Sequence, residues 1–269
     1  MHYDAHIHSA ASPDSELNPV DAIKALKRKG LGTIFTEHVD YITPQAGKDL
    51  KATDAPQGVS DFVCDFEIYP AQYRPLNKEY GDWALLGLEI GLTAAYYPAN
   101  SQLAKGNYDF ILGSVHHVDG LDIYSQSNKQ DPKTFLARYL TYSKEMVEYC
   151  DFFDSLGHID YVARYSDGIY KIYEYKNCPA EFDALLTALA ERDMAIEINT
   201  SRLGDNNFTG RLLPIYKRFK ELGGRYVTIG SDAHNEYSLG RGYRQALGIA
   251  SMAGLTPVYF IGRERRVCE

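Results

Sequence analysis

The chain has 269 residues, 45% of them hydrophobic and 24% charged, with a formal net charge of −8 at pH 7. That length suits one large α/β domain over residues 1–269 with a substantial core. The acidic balance excludes a nucleic-acid backbone as the main partner, because phosphate tracks need clustered Lys and Arg and the tail Arg263-Glu264-Arg265-Arg266 is too short to supply them.

Cys64, Cys150, Cys178 and Cys268 are widely separated with no C-x-x-C, so reduced thiols are expected rather than a disulfide framework. No stretch approaches the ~20 apolar residues that cross a bilayer, and the sequence opens on a strand without a charged-then-apolar leader. A cytoplasmic protein without membrane contact or obligate protein partner is the expectation. The 22 tyrosines suggest a polar pocket and rim.

In chain order, Tyr3–His8 alternates faces with a period of two, so His6 and His8 point the same way at a strand end. Two such imidazoles are natural transition-metal ligands. A helix near Pro19–Lys29, closed by Gly30, leads to a strand near Thr33–Thr36 and His38. Val39–Gly58 reads as loop and Ser60–Tyr80 as a helix with an N-cap serine. The third strand ends at Glu89 and the fourth at His116. Asp131–Asp151 is an amphipathic helix with Pro132 in its first turn, and the fifth strand ends at His158.

Then come a helix over Ala180–Arg192, a strand over Ala195–Asn199 and a helix over Leu212–Leu222 stopped by Gly223-Gly224. A strand near Tyr226–Gly230 leads to Asp232 and His234. A last helix over Gly242–Ala253 and a short strand over Val258–Ile261 finish the pattern.

About seven βα units without a repeat or linker imply a mainly parallel sheet closed into a barrel. Histidines and carboxylates that collect just beyond successive strands mark the end where barrels carry their chemistry. Val39–Tyr80 and Ile159–Asn177 are long for plain connections and leave from that end, so both are candidate walls or lids.

The candidate metal ligands are His6, His8, Asp14, His38, Glu89, His116, His158, Asp232 and His234. His and carboxylate donors suit Zn, Mn or Fe. Nine ligands exceed one ion's needs and divide into three groups, with Glu89 placed to bridge two metals at the ~3.5–4 Å spacing of binuclear hydrolases.

At this point the chain resembles the polymerase and histidinol phosphatase (PHP) superfamily. The resembling residues are Asp4-Ala5-His6-Ile7-His8 with Ser12-Pro13-Asp14, Thr36-Glu37-His38, Gly87-Leu88-Glu89 and Gly113-Ser114-Val115-His116-His117. Gly157-His158-Ile159-Asp160, Glu197-Ile198-Asn199-Thr200-Ser201 and Gly230-Ser231-Asp232-Ala233-His234 complete them. The insert after His38 and the His116-His117 doublet look like the histidinol-phosphate phosphatase branch. The resemblance implies a distorted seven-stranded (β/α)7 barrel with a trinuclear centre. By it the first metal takes His6, His8, Glu89 and Asp232, the second Glu89, His116 and His158, and the third Asp14, His38 and His234. Two departures stand out: Asp14 where many members have histidine, and Ser201-Arg202-Leu203-Gly204 where they have Ser-Gly-Leu-Arg.

A hydroxide bridging two divalent ions is a nucleophile at neutral pH, and a third ion can hold the remaining phosphate oxygens. The expected reaction is metal-dependent hydrolysis of histidinol phosphate, a small phosphate monoester. Glu89 and Asp232 serve it through the metals, and His117 contacts phosphate if the chain turns there. Arg202 is the candidate phosphate clamp. Asp160, Arg164 and Tyr161, just beyond His158, are candidates for the leaving-group pocket, with Asp119 as a further acidic group. Asp4 and Asp160 are either carboxylates that orient ligand imidazoles or buried hydrogen-bonding groups. His2 reads as a solvated terminal residue. A broader phosphoesterase and a non-catalytic metal-binding PHP domain are the alternatives.

Overall fold

The computed structural model describes residues 1–41, 63–65 and 68–269. Strand β1 (His2–Ile7) leads to α1 (Pro19–Arg28), which starts where the Asn18 side chain accepts from the amides of Val20 and Asp21 at 2.9 and 3.3 Å. Ala22, Ile23 and Leu26 are its buried face. After β2 (Leu31–Val39) comes α2 (Ile68–Tyr80), shorter than the expected Ser60–Tyr80. Asp65 accepts from the Ile68 amide at 2.9 Å and opens this helix, while Ser60 lies outside the described residues.

β3 (Ala84–Gly91), α3 (Tyr97–Ala104) and β4 (Phe110–Ser114) follow, α3 being a helix the sequence pattern did not announce. β5 (His117–Val118) and β6 (Leu121–Asp122) form a tight hairpin. Its turn, Asp119-Gly120, has φ of 53° and 77°, the left-handed pair that a two-residue hairpin demands.

Next are α4 (Ile123–Gln126), α5 (Pro132–Tyr149) capped by Asp131, β7 (Ser155–Leu156), α6 (Asp167–Ile172) and α7 (Pro179–Glu191). β8 (Ala195–Asn199) precedes α8 (Asn206–Glu221), which begins nearly two turns before the expected Leu212. The Asp205 side chain caps it, accepting from the amides of Asn207 and Phe208, so Pro214 lies inside the helix rather than at its first turn. β9 (Tyr226–Gly230), α9 (Tyr243–Ala253), β10 (Thr256–Ile261) and β11 (Glu264–Val267) complete the chain.

Seven strands run parallel in the order β1-β2-β3-β4-β7-β8-β9. The wall closes where β9 returns to β1: Ile7 bridges Ala233, the His8 amide donates to Ala233 O at 3.0 Å, and the Asp232 amide to His6 O at 2.8 Å. Asp4 fastens this seam by accepting from the Ser231 amide and hydroxyl (2.8 and 2.6 Å) and the Gly240 amide (2.8 Å). The result is a distorted (β/α)7 barrel.

The expected last strand is not another stave. β10 pairs with β9 only at Thr256 and Pro257, then folds back on β11. The hairpin crosses the barrel's N-terminal end, where Phe260 stacks on Phe110 and Tyr259 on Tyr3 at 5.3 and 4.3 Å. With Ala5, Ile34, Leu85 and Leu112 these rings fill the barrel's inside, and a larger apolar layer lies between wall and helices.

The register of β1 slips between Asp4 and Ile7. This bulge matters for the site. Tyr3 and Ala5 face the inner cluster and Ile7 the outer one, so the extra residue turns His6 and His8 inward as well.

Candidate metal centre

Every expected ligand reaches the C-terminal end of the barrel. Inward positions of β3 read Leu85, Gly87, Glu89, placing the Glu89 carboxylate directly above the inner core, where Ser114 Oγ donates to its Oε1 at 2.7 Å. Glu89 Oε1 lies 2.9 Å from His158 Nε2 and 3.3 Å from His116 Nε2. Its Oε2 is 3.4 Å from the Nε2 atoms of both His6 and His8, and 3.0 Å from His38 Nδ1. Asp232 Oδ1 lies 3.5 and 3.4 Å from the same His6 and His8 nitrogens. Asp14 Oδ2 faces His38 and His234 Nε2 at 3.4 and 3.0 Å.

These contacts call for a cation. His6 Nδ1 sits 2.7 Å from Glu197 Oε1, and His116 Nδ1 sits 2.9 Å from Asp40 Oδ2. Each carboxylate accepts from Nδ1–H, which in the neutral ring keeps the lone pair on Nε2. Yet His6 Nε2 faces His8 Nε2 at 3.0 Å, and His116 Nε2 faces His158 Nε2 at 3.3 Å. Nitrogens so close, ringed by carboxylate oxygens, need positive charge between them. Three overlapping groups each bring three donor atoms within 4.8 Å of one another: His6, His8, Asp232; His6, Glu89, His158; and His8, His38, His234. They share members more widely than the threefold division expected from sequence, His8 facing His38 and His234 in stacked rings at 3.9 and 4.3 Å.

Opposite charges crowded together also shift the ionisation of these donors. Burial alone would raise Glu89, but His6, His116 and His38 hold it well below the usual carboxylate range. Burial also opposes ionisation of Asp232, and His6 and Arg164 overcome it. Burial depresses His38 and His116, yet their carboxylate neighbours, led by Glu89 for the first and Asp40 for the second, lift both to about 10. Burial, then His38 and His234, pushes His8 well below the ordinary imidazole value.

Backbone geometry is spent on this site. Asp232 adopts φ 55°, a left-handed conformation that costs an L-residue energy, and the hydrogen bond its amide donates to His6 O helps hold it. Gly230 gives the room: a Cβ there would collide with His6 Cβ and Glu197 Oε1.

A cavity of about 310 Å³ opens over the donors. His117 lines it, turned inward by the β5–β6 hairpin, with Nδ1 3.7 Å from Asp40 Oδ1. Arg164 also lines it, donating from Nη1 to Asp232 Oδ2 at 2.5 Å, while its buried Nε and Nη2 have no hydrogen-bond partner among the described residues. Tyr161, Tyr165, Tyr124 and Asp122 form the remaining walls. Tyr161, Arg164 and Tyr165 come from the Ile159–Asn177 connection expected to flank the site. Of Val39–Tyr80, residues 42–62, 66 and 67 lie outside the described part.

The other sequence candidates lie elsewhere. Arg202 does not line the cavity: its guanidinium packs over Tyr170 and Phe208 at 5.1 and 5.3 Å and donates to Arg164 O at 3.3 Å. Asp160 is buried and absent from the cavity lining. Asp119 is occupied by Arg138, at 2.6 and 2.8 Å. Asp4 secures the seam and orients no imidazole. His2 sits at the opposite end beside Tyr243.

Sequence reasoning missed the roles of Glu197 and Asp40. Both carried a usable signal: Glu197 shares the inward face with Ala195 and Asn199, and Asp40 stands two residues beyond His38. Glu197 does double duty, since its Oε2 also accepts from the His158 amide at 2.6 Å.

The sequence pattern of the PHP domain matches residues 4–201. The chain belongs to the PHP domain family. Among its PHP relatives is a Clostridium acetobutylicum protein named "Probable histidinol-phosphatase", 38% identical over 268 residues and covering 97% of each chain. A Lactococcus lactis protein named "Histidinol-phosphatase" is 30% identical over 241 residues, 86% of this chain and 83% of its own. The crystal structure of the Lactococcus lactis histidinol phosphate phosphatase, complexed with zinc, L-histidinol and phosphate, superposes with a TM-score of 0.85. That pair is 26% identical, and 98% of each chain is covered.

Proposed function

We propose that this PHP protein is a histidinol-phosphatase, releasing L-histidinol and phosphate from L-histidinol phosphate in histidine biosynthesis, with residues 1–269 acting as one domain. The observation that carries the reading is the set of overlapping donor triads at the floor of a cavity whose wall holds a buried, incompletely bonded guanidinium. The relatives' names supply the leaving group.

Three divalent ions, Zn, Mn or Fe, are proposed, held by His6, His8, Glu89 and Asp232; by Glu89, His116 and His158; and by Asp14, His38 and His234. When bound, such ions activate water near neutral pH and neutralise charge on phosphoryl oxygens. The chain's own residues do the rest. Arg164, fixed by Asp232, offers Nε and Nη2 to phosphate oxygens. His117 stands in the cavity beside Asp40, placed to hand a proton to the departing alkoxide. Tyr124, Tyr161 and Tyr165, with Asp122, give an aromatic and acidic rim suited to a cationic leaving group carrying an imidazole. Arg202 then supports Arg164 by donating to its carbonyl oxygen, and buried Asp160 by its opposite charge. The described residues hold no helix long and apolar enough to cross a membrane, and the four cysteines are free thiols, which suits a cytoplasmic enzyme.

Steady-state kinetics test the substrate. kcat/KM for histidinol phosphate should exceed that for an aryl phosphate by about two orders of magnitude, roughly 3 kcal/mol of differential transition-state binding. Equal rates on unrelated monoesters would replace this reading with a general phosphoesterase.

A further inference from the structure

Glu37 sits one residue before His38 on β2 and is fully buried, yet it points away from the other carboxylates. Donors converge on it. The Ser9 amide lies 3.1 and 3.3 Å from its two oxygens, the Ser9 hydroxyl donates to Oε1, and the Ser12 hydroxyl donates to Oε2 at 2.5 Å. The Tyr73 hydroxyl, brought in by α2, closes on Ser9 Oγ. Glu37 thus accepts every bond it makes to these groups.

That fixes where the Ser12 proton goes. Ser12 Oγ has one hydrogen, spent on Glu37, and it accepts from the His38 amide at 3.1 Å. What remains is a lone pair, and it faces His8 Nδ1 at 3.4 Å. An acceptor there favours the proton on Nδ1 and so leaves the lone pair of His8 on Nε2. Nε2 is the atom that faces His6, Glu89 and Asp232. The same bonds pin residues 9–12, two positions before Asp14.

We propose that Glu37 is a positioning residue: acting through Ser12 Oγ, it selects the metal-competent tautomer of His8 and anchors the turn that presents Asp14. This rests on the metal reading given above.

Glu37→Gln keeps the shape and reverses the relay. One amide oxygen can serve the Ser9 donors, and the NH₂ group then donates to Ser12 Oγ. The hydroxyl must turn its own proton elsewhere, toward His8 Nδ1, which places the imidazole proton on Nε2. Removing the hydroxyl should cancel that harm.

Zinc affinity is measured on the full-length protein by competition with a chromophoric chelator, and the His8 tautomer by ¹⁵N NMR of the imidazole. Glu37→Gln should weaken zinc binding about tenfold to a hundredfold and move the His8 signal to the Nε2–H form. Ser12→Ala should weaken it less, and Glu37→Gln with Ser12→Ala no more than Ser12→Ala alone. A tautomer unchanged in Glu37→Gln, or losses that simply add in the double variant, overturns the proposal. If Glu37→Gln does not fold, Ser12→Ala decides: a folded variant with unaltered zinc affinity also overturns it. Wild-type protein that takes up no zinc would sink the metal reading itself, a separate result.

Discussion

Glu89→Gln is the sharpest perturbation of the centre. The carboxylate lies within 3.4 Å of five imidazoles, those of His6, His8, His38, His116 and His158. The amide keeps the volume but loses the charge and one acceptor, so it can serve one ion and presents NH₂ to lone pairs on the other side. At an effective dielectric near 20, one unit charge 4 Å from another is worth ~4 kcal/mol. Losing that attraction at a bridging position should cost about a thousandfold in kcat/KM. The assay is phosphate release from histidinol phosphate, paired with elemental analysis of the same sample. His2→Ala, at the far end of the barrel, is the control and should change little. A Glu89→Gln enzyme with full metal content and more than a tenth of wild-type kcat/KM would refute the bridging role.

Three further outcomes are expected. Chelation should abolish activity and zinc or manganese restore it, with about three ions per chain by elemental analysis; a single tightly held ion that survives chelation contradicts the centre described here. Arg164→Met leaves Asp232 without its 2.5 Å partner and, as the breaking of a buried pair, should cost about 3–5 kcal/mol of stability. It should also lower kcat/KM for all phosphate monoesters alike, and a loss confined to histidinol phosphate would move Arg164 to leaving-group recognition. Phe260→Ala empties the barrel floor against Phe110, and denaturant titration should show a loss of about 3–5 kcal/mol; a loss under about 1 kcal/mol would mean the hairpin merely covers the barrel.

The convergence of the candidate ligands was legible because a parallel barrel delivers every strand's C-terminal end to one place, so position along the chain translates directly into position in space. His6, Glu89, His158 and Asp232 needed only that rule. Other features depend on registers and faces that periodicity does not encode. The bulge in β1 breaks the simple alternation, yet it is what lets Tyr3 and His6 both face inward. The helix expected over Leu212–Leu222 starts earlier because Asp205 supplies a cap upstream of the apolar pattern. Val258–Ile261 was legible as a short strand, but nothing in its pattern showed that its aromatic residues seal the barrel's base. Arg202 stood near the right strand end, but Tyr170 and Phe208 compete for its guanidinium, and Arg164 takes the place beside Asp232.

The seam between the first and seventh staves joins residues 227 positions apart, as Asp4 and Ser231 are. Closing so long a loop costs about 5 kcal/mol of chain entropy. The donors straddle that join: His6 and His8 come from one lip and Asp232 and His234 from the other. A cation gripped by both lips would therefore be a clasp as well as a cofactor, drawing its hold on the fold from the join between the first and seventh staves. Losing it would loosen this edge of the barrel first, at the amides of His8 and Asp232, while the hairpin-sealed base stayed shut.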